Sequence, residues 1–181
     1  MRWESLFDDM EASFVAASEA ELESEIAEAV RLERSALRFA DRLRASRGVD
    51  VQLLVAGGRR VSVTVGVVGE DWLSGAEGPR EVLIPAGAVQ AAVGLARRAE
   101  PEPSHARRRL GITAPLRRLA RDRAQVLVLG AEGALAEGLL LEVGRDAMDV
   151  LPAPRGEIPR RRGAQEAVTV PLAAVVMVSA A

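Results

Sequence analysis

Apolar residues recur at helical spacing within the first fourteen positions of the chain. Trp3, Leu6, Phe7, Met10 and Phe14 fall on one helical face, and acidic residues occupy the opposite face, which predicts an amphipathic helix. Three of the five aromatic residues of the protein lie in this stripe, and aromatic side chains bury more apolar surface than any others. We therefore expect the stripe to dock, either on the chain's own core or in the groove of a partner protein.

A second helical pattern follows directly. Ser18 and Glu21 have the spacing of a capping box, and the helical period then continues to Gly48, a residue suited to a left-handed helix end. Residues 1–45 are accordingly interpreted as an acidic helical arm. A helix as long as the one predicted here either dimerises or bridges two modules.

After Gly48 the hydrophobic period changes from helical to alternating. Val61, Val63 and Val65 alternate with Ser62 and Thr64, as expected for a strand with one buried face. The connection "AGG" just before this run is typical of a hairpin turn.

The strand region is repeated within the chain. Shifted by 75 positions, "VQLLVAGGRRVSVTVGVVGEDWL" lies over "VLVLGAEGALAEGLLLEVGRDAM" without a gap, so that Val51 meets Val126 and Asp71 meets Asp146. The closing segments "IPAGAV" and "VPLAAV" are offset by 86 positions, and a loop insertion at 152–166 accounts for the difference. Such self-similarity predicts two copies of one structural unit.

The repeated unit resembles the Sm-like family. It has a short helix, the pattern V-x-V-x-x-x-x-G, a long second strand, a glycine turn with Asp, and a hydrophobic closing strand. The resemblance implies an α+β, mainly β protein: N-terminal helices followed by two tandem small five-stranded antiparallel barrels, at 46–96 and 115–181, joined by a basic linker at 97–114. An SH3-like barrel of other ancestry fits almost as well.

The family's RNA-contact motifs are not matched. Asp146, Met148 and Asp149 are similar to its RNA-contacting turn, but the spacing is one residue short, and Pro171 and Leu172 replace the family's Arg-Gly pair. The RNA pocket is therefore not carried over, because function belongs to a site and not to a fold.

The residue inventory argues against catalysis. There is no cysteine, and the only histidine, His105, lies in the linker-like stretch "PEPSHARRR", so the sequence does not indicate a general base, and no His/Cys/carboxylate cluster has metal-ligand spacing. We expect a non-enzymatic protein with no cofactor and no metal. No apolar run approaches the length of a membrane span, and the acidic N-terminus does not resemble a secretory signal, so a cytoplasmic location is expected.

Charge is distributed unevenly along the chain. All 24 basic residues are arginine, a bias typical of a GC-rich genome of the actinobacterial type. Residues 1–36 hold ten acids and three arginines, whereas 97–123 hold nine arginines and three acids. Guanidinium groups match phosphates, so the second segment is a candidate nucleic-acid-binding stripe, comprising Arg107, Arg108, Arg109, Arg117, Arg118, Arg121 and Arg123. A solvated helix face, or a docking site for the acidic arm, explains the same residues.

These patterns favour a regulatory or adaptor protein that acts through protein–protein contacts of its arm and barrels. The alternative is a nucleic-acid-binding regulator that uses the arginine-rich segment. Because two fused copies can satisfy each other's strand edges, we expect a monomer or a homodimer and not a ring.

Overall fold

The computed structural model divides into two units, Met1–Leu37 and Arg38–Ala181. In the first unit, the described residues 21, 23–28 and 31 are helical and exposed. The predicted docking stripe from Trp3 to Phe14 lies outside the described residues, which are 21, 23–28, 31, 37–104, 109–153 and 166–180.

The second unit is built on a single open antiparallel sheet with the strand order β5-β1-β2-β3-β4-β10-β6-β7-β8-β9. The strands are β1 Asp50–Val55, β2 Arg59–Val68, β3 Trp72–Glu77, β4 Arg80–Pro85, β5 Val89–Val93, β6 Gln125–Leu129, β7 Ala134–Val143, β8 Ala147–Pro152, β9 Val168–Pro171 and β10 Met177–Ala180. Helix α1 (Phe39–Ala45) precedes β1, helix α2 (Thr113–Arg121) precedes β6, and short 3-10 turns (Ala86–Ala88 and Leu172–Ala174) precede β5 and β10. The α+β, mainly β class predicted from the sequence is confirmed.

The strands form where the apolar alternation predicts them. In β2 the side chains of Val61, Val63 and Val65 are buried while Ser62 is exposed, because successive residues of a strand point to opposite faces of the sheet. The β2–β3 pairing then shifts register between Val65 and Val68. This irregularity lets Val68 rejoin the buried face and turns Val67 outward.

The internal repeat is reproduced by the strand pairing. Val51 pairs with Val63 in the first repeat, and the residues 75 positions later, Val126 and Gly138, pair in the second. The register shift between Val65 and Val68 has its counterpart between Leu140 and Glu142. Both repeats place their strands in the same spatial order, with the fifth strand beside the first.

The two repeats are joined along β4 and β10, a contact that we call the seam. Val178 lies opposite Leu83, Ser179 opposite Val82, and Ala180 opposite Glu81. The fourth strand of the first repeat thus pairs with the fifth strand of the second. One edge of each repeat is satisfied within the chain.

The seam contributes side chains to two hydrophobic cores. Val82, Ile84 and Met177 pack in the first core, whereas Leu83 and Val178 pack in the second. The alternation of side chains along a strand sends neighbouring residues of β4 and β10 to opposite faces. Neither core is therefore built from one repeat alone.

The prediction of one continuous helix ending near Gly48 is wrong. Leu37 and Arg38 are not helical, and Arg38 has an extended backbone (φ −82°, ψ 147°) that precedes a new helix, α1. Helix α1 is oriented by tertiary contacts, since Leu43 is fully buried in the first core and Arg44 donates a hydrogen bond to the carbonyl oxygen of Gly69. A helical period in the sequence does not report such a break.

Two hairpin turns, one from each repeat, lie against each other. Gly57, in the β1–β2 turn, has a φ of +81°, and a Cβ at this position would overlap the backbone carbonyl of Ala131 in the β6–β7 turn. Its neighbour Gly58 has a similar φ of +74° but faces open space.

We predict that Gly57→Ala destabilises the protein more than Gly58→Ala. Both changes place an L-residue in left-handed backbone, at a cost of about 1–2 kcal/mol, and only Gly57→Ala adds a backbone overlap, which costs about 1–3 kcal/mol more. Urea unfolding of both variants and the parent measures the difference. Equal losses would show that the two turns are not in contact in solution.

Candidate functional site: a cleft beside helix α2

The structure brings together only part of the predicted arginine stripe. Arg107 and Arg108 lie outside the described residues, and Arg109 is exposed ahead of α2. Four more exposed arginines lie on α2 or directly after it: Arg117, Arg118, Arg121 and Arg123.

Two of these arginines already have partners within the protein. The Arg117 guanidinium donates to the carbonyl oxygens of Val143 (3.2 Å) and Gly144 (3.1 Å), so it fastens α2 to the end of β7. Arg118 lies 3.9 Å from the carboxylate of Asp122 with both side chains well exposed, a geometry that stabilises little. The sequence groups these arginines by charge alone. It does not indicate that Arg117 has a structural role, in which it binds backbone carbonyls at the end of β7.

The start of α2 is held by the first repeat. Asp71 accepts a hydrogen bond from the backbone N–H of Ile112 (2.9 Å). The indole Nε1 of Trp72 donates to the carbonyl oxygen of Leu110 (2.7 Å). The local sequence of Asp71 is typical of a turn, and nothing near it indicates a bond to a helix some forty residues away.

Helix α2 is packed on the sheet by one apolar side. Leu116 is fully buried and Ile112 nearly so, and both lie in the second core. Trp72 belongs to that same core although it comes from the first repeat.

Between α2 and the outer face of β2, β3, β4 and β10 lies an open cleft of about 710 Å³. The floor comes from the sheet and the wall from Pro115 and Leu119 of α2. The apolar and small floor residues include Val65, Gly66, Val67, Trp72, Gly75, Ala76, Val82, Leu83, Val178 and Ala180. Sequence reasoning missed this cleft, since its sides come from distant parts of the chain.

Two glycines line the floor of the cleft. Gly66 and Gly75 lie on adjacent strands, and a Cβ on Gly75 would point into the first core, where it would overlap the side chain of Val63 and the carbonyl of Thr64. Beside them, Val67 is 54% exposed. The floor of the cleft therefore presents the exposed side chain of Val67 next to the backbone of Gly66 and Gly75, which have no side chains.

The polar groups of the cleft are few and are mostly at its rim. Thr64 and Ser74 supply hydroxyls, and Arg118 and Asp122 form the weak pair described above. Glu81 also lines the cleft, and within the described residues it has neither an ion pair nor a side-chain hydrogen bond. A mainly apolar concavity with a few polar groups is typical of a binding site, and the free charge here is negative.

A buried ion pair lies near the start of α1. Arg44, 8% exposed, contacts Asp41 at 2.5 Å and donates to the carbonyl of Gly69 at 2.7 Å. The pair ties α1 to the end of β2. Since a buried charge is costly without a partner, Arg44 is interpreted as a structural residue.

The described ranges contain no group of three or more His, Cys, Asp and Glu residues that could hold a metal ion. None of the described helices is long and apolar enough to cross a membrane. Comparison of the chain with known family models, with curated proteins and with solved structures gives no match.

We predict that Asp71→Ala lowers the free energy of unfolding and speeds hydrogen exchange in α2. Asp146→Ala, at the equivalent position of the second repeat, should do neither. Asp71 accepts the Ile112 amide, and loss of such a helix-start acceptor costs about 0.5–2 kcal/mol. Asp146 is exposed and makes no side-chain hydrogen bond within the described ranges, so its replacement should cost under about 0.5 kcal/mol. Chemical unfolding gives the energies, and hydrogen exchange of the α2 amides shows where the opening occurs. Equal effects of the two variants would contradict the role assigned to Asp71.

Proposed function

We propose that this protein is a non-enzymatic, cytoplasmic regulatory adaptor that binds another protein through the cleft beside α2. The observation that carries the proposal is the cleft itself, which combines apolar floor and wall residues with a free carboxylate at Glu81. The acidic arm, with Trp3, Leu6, Phe7, Met10 and Phe14, is the second proposed contact surface.

The chemistry of the cleft defines the partner segment. An apolar side chain of the partner would rest against Val67 and Leu119, since helix-in-groove and extended-peptide recognition both depend on such anchors. A cationic residue beside that anchor would face Glu81. Opposite charge across a contact adds specificity more than affinity, so we expect the basic residue to select among apolar segments.

The evolutionary part of the proposal is that each repeat is a small barrel of the Sm-like or SH3-like type. The repeated strand order, with the fifth strand next to the first and the fourth strand at the far side, supports this relationship. The adaptor function does not depend on it.

Nucleic-acid binding is the second candidate function. It is favoured by Arg118, Arg121 and Arg123, which are all exposed on α2 or directly after it. Because phosphate contacts release counterions, affinity for nucleic acid falls steeply with salt. A fluorescence titration of generic RNA and DNA at two salt concentrations tests this candidate, and the double change Arg118→Gln/Arg121→Gln should lower any such binding.

The cleft proposal is tested with a panel of synthetic peptides that share an apolar stripe and differ in one flanking residue, arginine or glutamate. The protein carries Trp3→Phe, so that Trp72, which lines the cleft, is the only tryptophan and reports binding by fluorescence. We expect the arginine peptides to bind more tightly than the glutamate peptides. Glu81→Gln should remove this difference.

Val67→Glu should weaken peptide binding at least about tenfold, equivalent to about 1.4 kcal/mol. The second repeat has Glu142 at the corresponding position, so the strand is expected to tolerate the change. Leu141→Glu, on β7 and 42% exposed, is the matched control and should bind as the parent does. Equal affinity of Val67→Glu and the parent would exclude the cleft as the docking site.

A further inference from the structure

The described sheet ends at two strands, β5 and β9, each hydrogen-bonded on one side only. These two edges are the repeat counterparts of the two strands that pair at the seam. β9 stands in the second repeat where β4 stands in the first, and β5 stands where β10 does. Among the described residues, the β4–β10 contact is thus formed once, and the two strands that could form a second copy of it, β5 and β9, are each unpaired on one side.

The strand registers define which residues correspond. Gln52 pairs with Val93, and the residue 75 positions after Gln52, Leu127, pairs with Ser179. Val93 is therefore the counterpart of Ser179, with an offset of 86 positions. The same offset relates Val82 to Val168, since Gly75 pairs with Val82 and Val150 pairs with Val168.

This correspondence predicts the register of the missing contact. At the seam Ser179 lies opposite Val82, so its counterpart would place Val93 opposite Val168. Val82 is 2% exposed within the seam, whereas Val168 at the free edge is 37% exposed and Val93 is 68% exposed. The two exposed valines are the residues that a second contact of the same kind would cover.

Neither free edge carries a charged residue against strand pairing, and the proline that ends β9, Pro171, corresponds to Pro85, which ends β4 without preventing the seam. Natural sheets commonly place charged residues on edge strands to prevent association, but β5 (VQAAV) and β9 (VTVP) contain no charged residue. Both are short, yet the seam itself joins only three residue pairs. Edge strands of this length are therefore sufficient for this contact.

We propose that β9 of one chain pairs antiparallel with β5 of a second copy, in the register of the seam, with Val93 opposite Val168. The occupant of each edge is thus another copy of this protein. The proposal is independent of the cleft, which lies on β2, β3, β4, β10 and α2, so peptide binding and self-association can fail separately.

The contact joins two different surfaces, and this determines the form of the assembly. A head-to-tail contact leaves one free edge at each end until the chain of copies closes. A homodimer in which both contacts form is the smallest closed assembly. The free edges are also less apolar than the seam, with Thr169 in the place of Leu83 and Ala91 in the place of Met177, so we expect association to be weaker than the internal contact and to depend on concentration.

Single-cysteine variants of the full chain test the register directly, because the protein has no cysteine of its own. A tagged Val93→Cys chain is mixed with an untagged Val168→Cys chain and treated with a short thiol cross-linker. Residues directly opposite in an antiparallel pair have Cβ atoms about 4.5–5.5 Å apart, so the mixed product should form efficiently. Each variant alone, and Val168→Cys mixed with Leu141→Cys, should form little product.

Sedimentation velocity over a concentration series provides the second measurement. The average mass of the parent should rise at least twofold, the rise should be lost in Val168→Lys, and the control Leu141→Lys should retain it. A parent that stays monomeric at every concentration would overturn the proposal. So would cross-linking of Val168→Cys alone as strongly as in the mixture, since that pattern requires two identical edges to meet.

Discussion

The pairing of β4 with β10 is the contact on which the rest of the second unit depends. It converts two similar five-stranded repeats into one ten-stranded sheet. It also contributes side chains to both hydrophobic cores, since Val82 and Met177 pack in the first core and Leu83 and Val178 pack in the second. Separating the strands would expose apolar groups on both faces at once, at about 25 cal/mol for each Å² of apolar surface. The two repeats therefore share both of their hydrophobic cores.

The seam also gives rise to the cleft. Once the repeats share a sheet, α2 of the second repeat lies beside the outer face of β2 and β3, and its start is bonded to Asp71 and Trp72. Most of the floor of the cleft therefore comes from the first repeat, and its wall comes from the second. A single copy of the unit would not contain this concavity.

Similar repeats have acquired different roles at equivalent positions. Asp71 accepts a hydrogen bond from the start of α2, while its counterpart Asp146 makes no side-chain hydrogen bond within the described residues. Val67 lines the cleft where the second repeat has Glu142. Val82 is buried where Val168 is exposed. In each case the two copies share backbone geometry and differ in what lies next to them, because only one copy of each pair faces the seam or the cleft.

The sequence by itself determined the mainly β class and the correspondence between the two repeats, because strand alternation and self-similarity are local properties that a single chain displays. It misjudged the helix before β1, where the break at Arg38 depends on how Leu43 packs in the first core. It also grouped Arg117 with the other arginines, although that side chain binds backbone carbonyls at the end of β7. Only the tertiary structure decided the seam, the cleft and the free edges. The seam and the cleft bring together residues that are far apart in the chain. The strands of the seam also have the same local pattern as the unpaired edge strands, so the pattern does not indicate which of them pair.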